Sequence, residues 1–445
     1  MPRFELTSEC HVLDSRDSDQ AIVYFPIRSL VLRVNQSAAR LLDRLRLGPV
    51  EEDDDMGRFL ESLVAVGVVN GTRDCAPSGG HACPEHLYRT LLLTSDRCNL
   101  SCLYCYGAAT SAGDLMPSGM ANAAIDFLVA NAVRDAQPGI DVGFHGGGEP
   151  TTNWPVVTTA IQHAQDSCSQ NGLRLHSSLC TNGILSDSQV RWVAKHIHNV
   201  ILSIDGPPEI QNVQRPTAAG GASFDIVART ADLLAELGKQ CVFRVTATRL
   251  SERKMGDIYL WMTERFRPHS ICIEPLFSCG RCSTSAVEPP EAGAFIADMI
   301  EVEQRARGRV PVLYSGGRVE ILADRFCGAA GANFFVTPRG DVTSCVEVSR
   351  PTDPRASLFF YGRFDAQSGG FIFDKQRHLK LSQMSVARVA ACSDCFARWH
   401  CSGDCPAKMQ TTDWATSPRN TYRCHVNREL TRATLIRLAA RIQTA

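Results

Sequence analysis

The placement of cysteine constrains this chain more than any other feature. Nineteen cysteines occur in 445 residues, and most fall in two groups, at 98–105 and 327–424. Disulfide frameworks belong to short secreted domains. Here the count is odd, the chain is long and the N-terminus, MPRFELTSECHVLDSRDSD, has no signal-peptide core. Intracellular cysteine clusters bind metal or do redox work instead, so a cytoplasmic location is expected. Hydrophobic residues make up 44%, charged residues 21%, and the net charge is -1. That balance describes an ordinary globular chain. It gives no reason to expect nucleic acid as a partner, and no apolar run is long enough for a membrane span.

Between 89 and about 310, short apolar strands alternate with helical patterns. Strands are expected at Arg89–Thr94, Asp141–His145, Leu173–Cys180, Val200–Asp205, Cys241–Thr248 and Ser270–Glu274. Helices are expected between them at Met120–Val133, Trp154–Ser167, Ser188–His196, Phe224–Leu237 and Asp257–Phe266. Repeated β-α units imply a parallel sheet or barrel with helices outside. Six units suit a partial (β/α)6 TIM-like barrel, with its chemistry at the C-terminal strand ends.

Residues 1–75 read as a separate small module. Ala21–Phe25 and Ser29–Val34 suit a hairpin, and helical patterns begin at Asn35 and run over Met56–Val66. The acidic run after Gly48 reads as solvated surface, and 76–88 as a linker rich in Gly, Pro and polar residues. The expected α/β barrel domain covers 89–315, and a cysteine-rich domain organised by metal covers 316–430. Residues 431–445 belong to a terminal helix that begins near Arg428.

The first cysteine group is Cys98-Asn-Leu-Ser-Cys102-Leu-Tyr-Cys105, in a loop directly after the first barrel strand. Thiolates are the soft ligands that iron–sulfur clusters prefer. Three cysteines leave one iron of a 4Fe–4S cluster open to a small chelating molecule. Structural zinc, the alternative, takes four protein ligands in a closed site. Other motifs follow at later strand ends: Gly146-Gly147-Gly148-Glu149-Pro150, Thr181-Asn182-Gly183, and Ser203-Ile-Asp205-Gly-Pro with Arg215 downstream.

This ordered set resembles the radical S-adenosylmethionine (SAM) superfamily over about residues 89–310. The resemblance implies that Cys98, Cys102 and Cys105 hold a 4Fe–4S cluster whose open iron chelates SAM. Reductive cleavage of SAM then yields a 5′-deoxyadenosyl radical that takes hydrogen from substrate. Tyr104 occupies the family's adenine-facing position. Gly146, Gly147, Gly148 and Glu149 match its glycine-rich motif, Glu149 accepting from the SAM ammonium. Thr181 and Asn182 match the ribose segment, and Ser203 and Arg215 are candidates for the carboxylate. Arg244, on the fifth strand, is a further candidate.

Seven later cysteines, Cys327, Cys345, Cys392, Cys395, Cys401, Cys405 and Cys424, resemble the SPASM extension of that superfamily. The resemblance implies two auxiliary 4Fe–4S clusters. Cys392, Cys395, Cys401 and Cys424 would hold the outer one, and Cys327, Cys345 and Cys405 the inner one. Cys279 or Cys282 would complete the inner cluster, or one iron would stay open. Counting the first cluster, three are expected.

SPASM relatives modify peptides and proteins, so a precursor peptide is the expected substrate and an oxidative crosslink the expected product. A flavodoxin- or ferredoxin-type protein is the expected reductant. Residues 1–75 resemble the small winged-helix-like module that binds leader peptides by strand addition. Formylglycine formation of the anaerobic sulfatase-maturase type is the first alternative. Such relatives often carry Asp directly after the second SPASM cysteine, whereas Val346 and then Glu347 follow Cys345. A small-molecule dehydrogenase or epimerase is the second alternative, and an electron carrier the non-enzymatic one. Glu347, Glu274 and Asp205 are the candidate general bases.

Overall fold

The structure, a computed structural model, describes residues 2–14, 19–51, 54–79, 83–408, 414–416 and 419–441. The acidic run, the linker and the end of the last helix lie partly outside these residues. The N-terminal segment contains β1 (Arg3–Phe4), β2 (His11–Asp14), β3 (Gln20–Phe25) and β4 (Leu30–Asn35). β3 and β4 form the expected antiparallel hairpin, turning through Ser29 at a left-handed φ of 50°. β2 adds a third strand that the sequence reading did not include. Asn35 caps α1 (Gln36–Leu47) by accepting from the Ala38 amide at 2.9 Å. β5 (Val50–Glu51) pairs with β1, and α2 (Asp54–Ala65) completes the unit.

Strand alternation sends side chains to both faces of this sheet. Ala21, Val23 and Phe25 bury against Leu41, Leu42 and Leu45 of α1. On the other face Leu13, Ile22, Tyr24 and Val31 bury against Phe396, Ala397, Leu435 and Ala439. Glu9 accepts from Trp399 Nε1 at 2.7 Å and pairs with Arg398 at 2.8 Å. The module is therefore a buttress of the C-terminal cysteine region as well as a unit with its own core.

The barrel runs through β6 (Arg89–Leu93), α3 (Ser118–Arg134), β7 (Gly139–His145), α4 (Trp154–Gln170) and β8 (Arg174–Thr181). It continues with α5 (Asp187–His196), β9 (Asn199–Ser203), α6 (Pro208–Gln214), α7 (Phe224–Glu236) and β10 (Cys241–Ala247). α8 (Met255–Phe266), β11 (Ser270–Pro275), α9 (Ala292–Arg305) and β12 (Val312–Leu313) follow. β6 to β11 lie side by side in sequence order, all parallel. Their helix-facing residues, among them Phe144, Leu179, Leu202, Phe243 and Ile273, join Ile125, Leu128, Val157 and Ile161 in one core. The alternate residues, including His145, Cys180, Ser203, Arg244 and Cys272, face the concave side.

The barrel stays open. β12 is one edge of the sheet, and the outer side of β6 pairs in parallel with β13 (Phe334–Val336). β14 (Asp341–Thr343), α10 (Ala356–Phe359), β15 (Phe360–Asp365) and β16 (Gly370–Phe373) then extend the same sheet with antiparallel strands. α11 (Lys375–Ser382) and α12 (Arg398–Cys401) are short, and α13 (Tyr422–Arg441) packs along α9 and across β4. No helix among the described residues is long and apolar enough to cross a membrane.

The N-terminal contact carries a pH dependence. His400 Nδ1 lies 3.0 Å from the Ile321 carbonyl and Nε2 lies 2.5 Å from Tyr24 Oη, which fits a neutral ring with its proton on Nδ1. Burial holds its pKa below the ordinary 6.5. Unfolding lets the ring take up a proton, so its stabilising effect is complete above that ordinary value and declines as pH falls below it. Denaturant midpoints measured from about pH 7.5 down to about pH 5.5 are expected to fall in the wild type, and to fall less in His400→Gln.

Candidate functional site

Every element of the site sits at the C-terminal end of a barrel strand or in the segment that covers it. The loop after β6 is pinned by backbone: Cys98 N donates to Thr110 O at 2.7 Å, and Leu103 N to Gln214 O at 2.9 Å. Arg281 clamps it from the segment after β11, its amide donating to Cys105 O at 2.9 Å and its Nη1 to Cys102 O at 2.8 Å. Gly280 is required there, because its φ is +58° and a Cβ would stand 2.4 Å from Cys105 O.

Cys98, Cys102 and Cys105 are free thiols turned toward one another. The Leu100 amide points at Cys98 Sγ from 3.4 Å and Asn182 Nδ2 from 3.7 Å. Burial pushes Cys98 up to about 12 and Cys102 up to about 11. Three thiolates coexist here only with a compensating cationic group, and the donor set fits an iron–sulfur cluster. Among the described residues no three His, Cys, Asp or Glu side chains converge on a single ion. In a polynuclear cluster each thiolate binds a different iron, so its ligands stand further apart than those of one ion.

Two buried carboxylates organise the strand ends. Glu149 is 2% exposed. Its Oε1 accepts from Thr181 Oγ1 at 2.8 Å and Thr151 Oγ1 at 2.7 Å, and its Oε2 from the Asn182 amide at 2.7 Å. Asp205 accepts from the Thr246 amide at 2.9 Å, Gln214 Nε2 at 2.8 Å and the Tyr104 hydroxyl. Arg215 donates to the same Tyr104 oxygen at 2.6 Å and faces Cys102. The glycine run packs directly on the cysteine loop: a Cβ on Gly148 would stand 2.2 Å from Arg97 O, and one on Gly146 2.5 Å from Gly148 O. A Cβ on Gly147 meets the Ser349 hydroxyl at 2.8 Å. Ser203 Oγ makes no hydrogen bond among the described residues.

The later cysteines gather as two sets. Cys392, Cys395, Cys401 and Cys424 line one cavity together with Arg398, Arg419 and Arg428, whose charges oppose those of four thiolates. Asn427 Nδ2 points at Cys401 Sγ from 3.2 Å. Cys327, Cys345 and Cys405 are electrostatic neighbours of one another and of Glu347. Cys282 is turned aside, its thiol on the Val287 carbonyl at 3.4 Å. Cys279 faces Lys408 and Glu347 instead.

The three candidate bases differ. Asp205 is fully engaged, as above. Glu274 accepts from the Ser315 amide at 2.8 Å and the Ser315 hydroxyl at 2.9 Å. Among the described residues Glu347 has a single ion-pair partner, Lys408 Nζ at 2.7 Å, which holds its pKa below the ordinary value despite burial. Tyr106, which the sequence reading passed over, has Cys105, Glu347 and Cys345 as neighbours and donates to Gly146 O at 2.6 Å. Its position directly after Cys105 was the available signal. His145 and Cys180 also went unselected. They are hydrogen-bonded neighbours on adjacent strands, and despite burial the imidazole holds the thiol below its ordinary pKa.

Residues 92–262 match the model of the Radical SAM superfamily. A cysteine-type anaerobic sulfatase-maturating enzyme of Clostridium perfringens is 26% identical over 266 residues, 56% of this chain and 72% of that protein. A solved structure described as native anSMEcpe with bound AdoMet has a TM-score of 0.62 at 20% identity, covering 80% of this chain and all of the other. Streptococcus suis SuiB bound to S-adenosylmethionine has a TM-score of 0.52 at 13% identity, covering 92% and 97%. These two share the fold.

The packing of the glycine run is directly testable. Gly148→Ala overpacks a backbone contact and is expected to destabilise by about 1–3 kcal/mol in anaerobic denaturant titration. Gly119→Ala has open space around the added methyl and serves as the control.

Proposed function

We propose that this chain, which carries a radical SAM domain over residues 92–262, is a maturase of the anaerobic sulfatase-maturating type. It would oxidise a cysteine or serine of a peptide or protein substrate to formylglycine. This reading takes precedence over the crosslinking maturase expected from sequence, because the similarity to a sulfatase-maturating enzyme spans 72% of that protein. Cys98, Cys102 and Cys105 would hold the first cluster, with SAM on its open iron. Cys392, Cys395, Cys401 and Cys424 would hold the outer auxiliary cluster, and Cys327, Cys345 and Cys405 the inner one. When bound, the first cluster and SAM supply the one-electron chemistry that removes a hydrogen atom from substrate.

The protein's own part is positioning and proton transfer. Glu149 joins the ends of β7 and β8, and Arg215 with Tyr104 and Asp205 presents a cation beside Cys102. Arg281 keeps the cysteine loop closed. The observation that carries the reading is Glu347. It is the one candidate carboxylate without backbone donors, and it lies beside both the inner cysteines and Tyr106. Its place two residues after Cys345 departs from sulfatase-type relatives, which often carry Asp directly after the cysteine, so it is the position beside the inner cysteines, not the spacing, that assigns it the substrate proton.

A ribosomal precursor peptide is the second reading. It is favoured by the N-terminal sheet, in which β2 is an edge strand of the kind that pairs with added peptide.

Anaerobic reconstitution is expected to give about twelve irons per chain, and about four would sink the auxiliary clusters. With a cysteine-containing peptide, trapping by a hydrazide and mass spectrometry is expected to find an aldehyde. A crosslinked product without one favours the second reading. Glu347→Gln is expected to lose aldehyde formation by about 100-fold or more while still forming 5′-deoxyadenosine.

A further inference from the structure

Arg244 has no part in the scheme above. It lies on β10 between Phe243 and Val245, both buried in the helix-side core, so its own side chain enters the concave face of the barrel. Its electrostatic neighbours are Cys272 and Glu274 of β11, Cys180 of β8 and Glu347 of the covering segment. Cys272 is the register partner of Arg244 on the adjoining strand, whereas Cys180 of β8 lies two strands away and approaches it across the concave face.

Among the described residues its one hydrogen bond runs from Nη1 to Cys272 Sγ at 3.6 Å. Among the described residues no carboxylate forms an ion pair with it, although two are near. Glu274 is held by Ser315, with Arg423 at 3.8 Å, and Glu347 is held by Lys408. The side chain is exposed on the open concave face, so a ligand reaches the guanidinium without displacing a protein carboxylate. The planar fork of Arg suits an arriving carboxylate in a bidentate pair.

SAM brings a carboxylate and an acidic residue of a peptide substrate would bring another, and the surroundings separate the two cases. Arg215 faces Cys102, Tyr104 and Asp205, the side of the barrel that holds the first cysteine loop. Arg244 faces β11 and Glu347, the side on which the substrate proton would be accepted. We infer that Arg244 is a specificity-determining residue that binds a carboxylate of the substrate, so that the enzyme selects a target residue flanked by an acidic side chain. The inference rests on the functional reading above, in which Glu347 takes the substrate proton.

The test uses reconstituted holoenzyme saturated with SAM and isothermal titration calorimetry. The probes are capped tripeptides with a central cysteine flanked by Asp, Asn or Lys. The Asp peptide is expected to bind about tenfold more tightly than the Asn peptide, with Lys the weakest. Arg244→Gln is expected to erase the Asp preference, and Arg244→Lys to keep part of it. Equal binding of the Asp and Asn peptides by wild type, no binding of either, or an unchanged preference in Arg244→Gln overturns the inference. A loss of SAM affinity in Arg244→Gln with the peptide preference intact assigns the carboxylate to SAM and also overturns it. Failure of the functional reading is separable: wild type would then give no hydrazide-trapped aldehyde from the cysteine peptide, whatever the binding preference.

Discussion

The buried Glu149 carboxylate is the contact on which the rest of the site depends. It draws donors from Thr151, just past the end of β7, and from Thr181 and Asn182 at the end of β8. Asn182 in turn reaches the side chain of Asn99 and Cys98 Sγ. One carboxylate thus sets the spacing of two strand ends and of the cysteine loop above them. Its burial raises its pKa, and four hydrogen bonds from protein donors offset that cost. Asp205 plays the matching part further round the barrel, tying Tyr104, Gln214 and the Thr246 amide. A carboxylate in that state positions other groups, its oxygens being taken up by protein donors.

Charge is distributed to match. Each cysteine set has arginines facing it: Arg215 and Arg281 at the first, Arg398, Arg419 and Arg428 at the outer C-terminal set, and Arg318, Arg355 and Arg423 at the inner one. Clustered thiolates repel, and fixed cations reduce the cost of holding them together. The N-terminal sheet contributes to the same region by packing Tyr24 and Ile22 against Phe396 and Ala397, residues that lie between Cys395 and Cys401. Removing that module would therefore disturb the outer cysteine set as well as any peptide site on β2.

Much of this was legible in sequence because the signals are local. Short spacings fixed the first cysteine loop, and strand–helix alternation fixed β6 to β11 within a residue or two. β2 was missed because His11-Val-Leu-Asp14 is only four residues long and has polar ends. Docking of the N-terminal sheet had a signal in Ala21-Ile-Val-Tyr-Phe25, which is apolar on both faces, as a doubly buried strand requires. Continuation of the barrel wall into β13 was not legible, since that pairing joins residues far apart in the chain. The same holds for the choice among the candidate bases. Ser315, Gln214 and Lys408 decide which carboxylate stays available, and none of them lies next to the acid it engages.

The central claim is that the loop after β6 holds the cluster that delivers an electron to SAM. Its most direct test is 5′-deoxyadenosine formed from SAM under dithionite, measured by chromatography. The wild type and the triple variant with Cys98, Cys102 and Cys105 all changed to Ala are compared after identical anaerobic reconstitution. The account predicts turnover in the wild type and none in the variant. Equal turnover in both would contradict it.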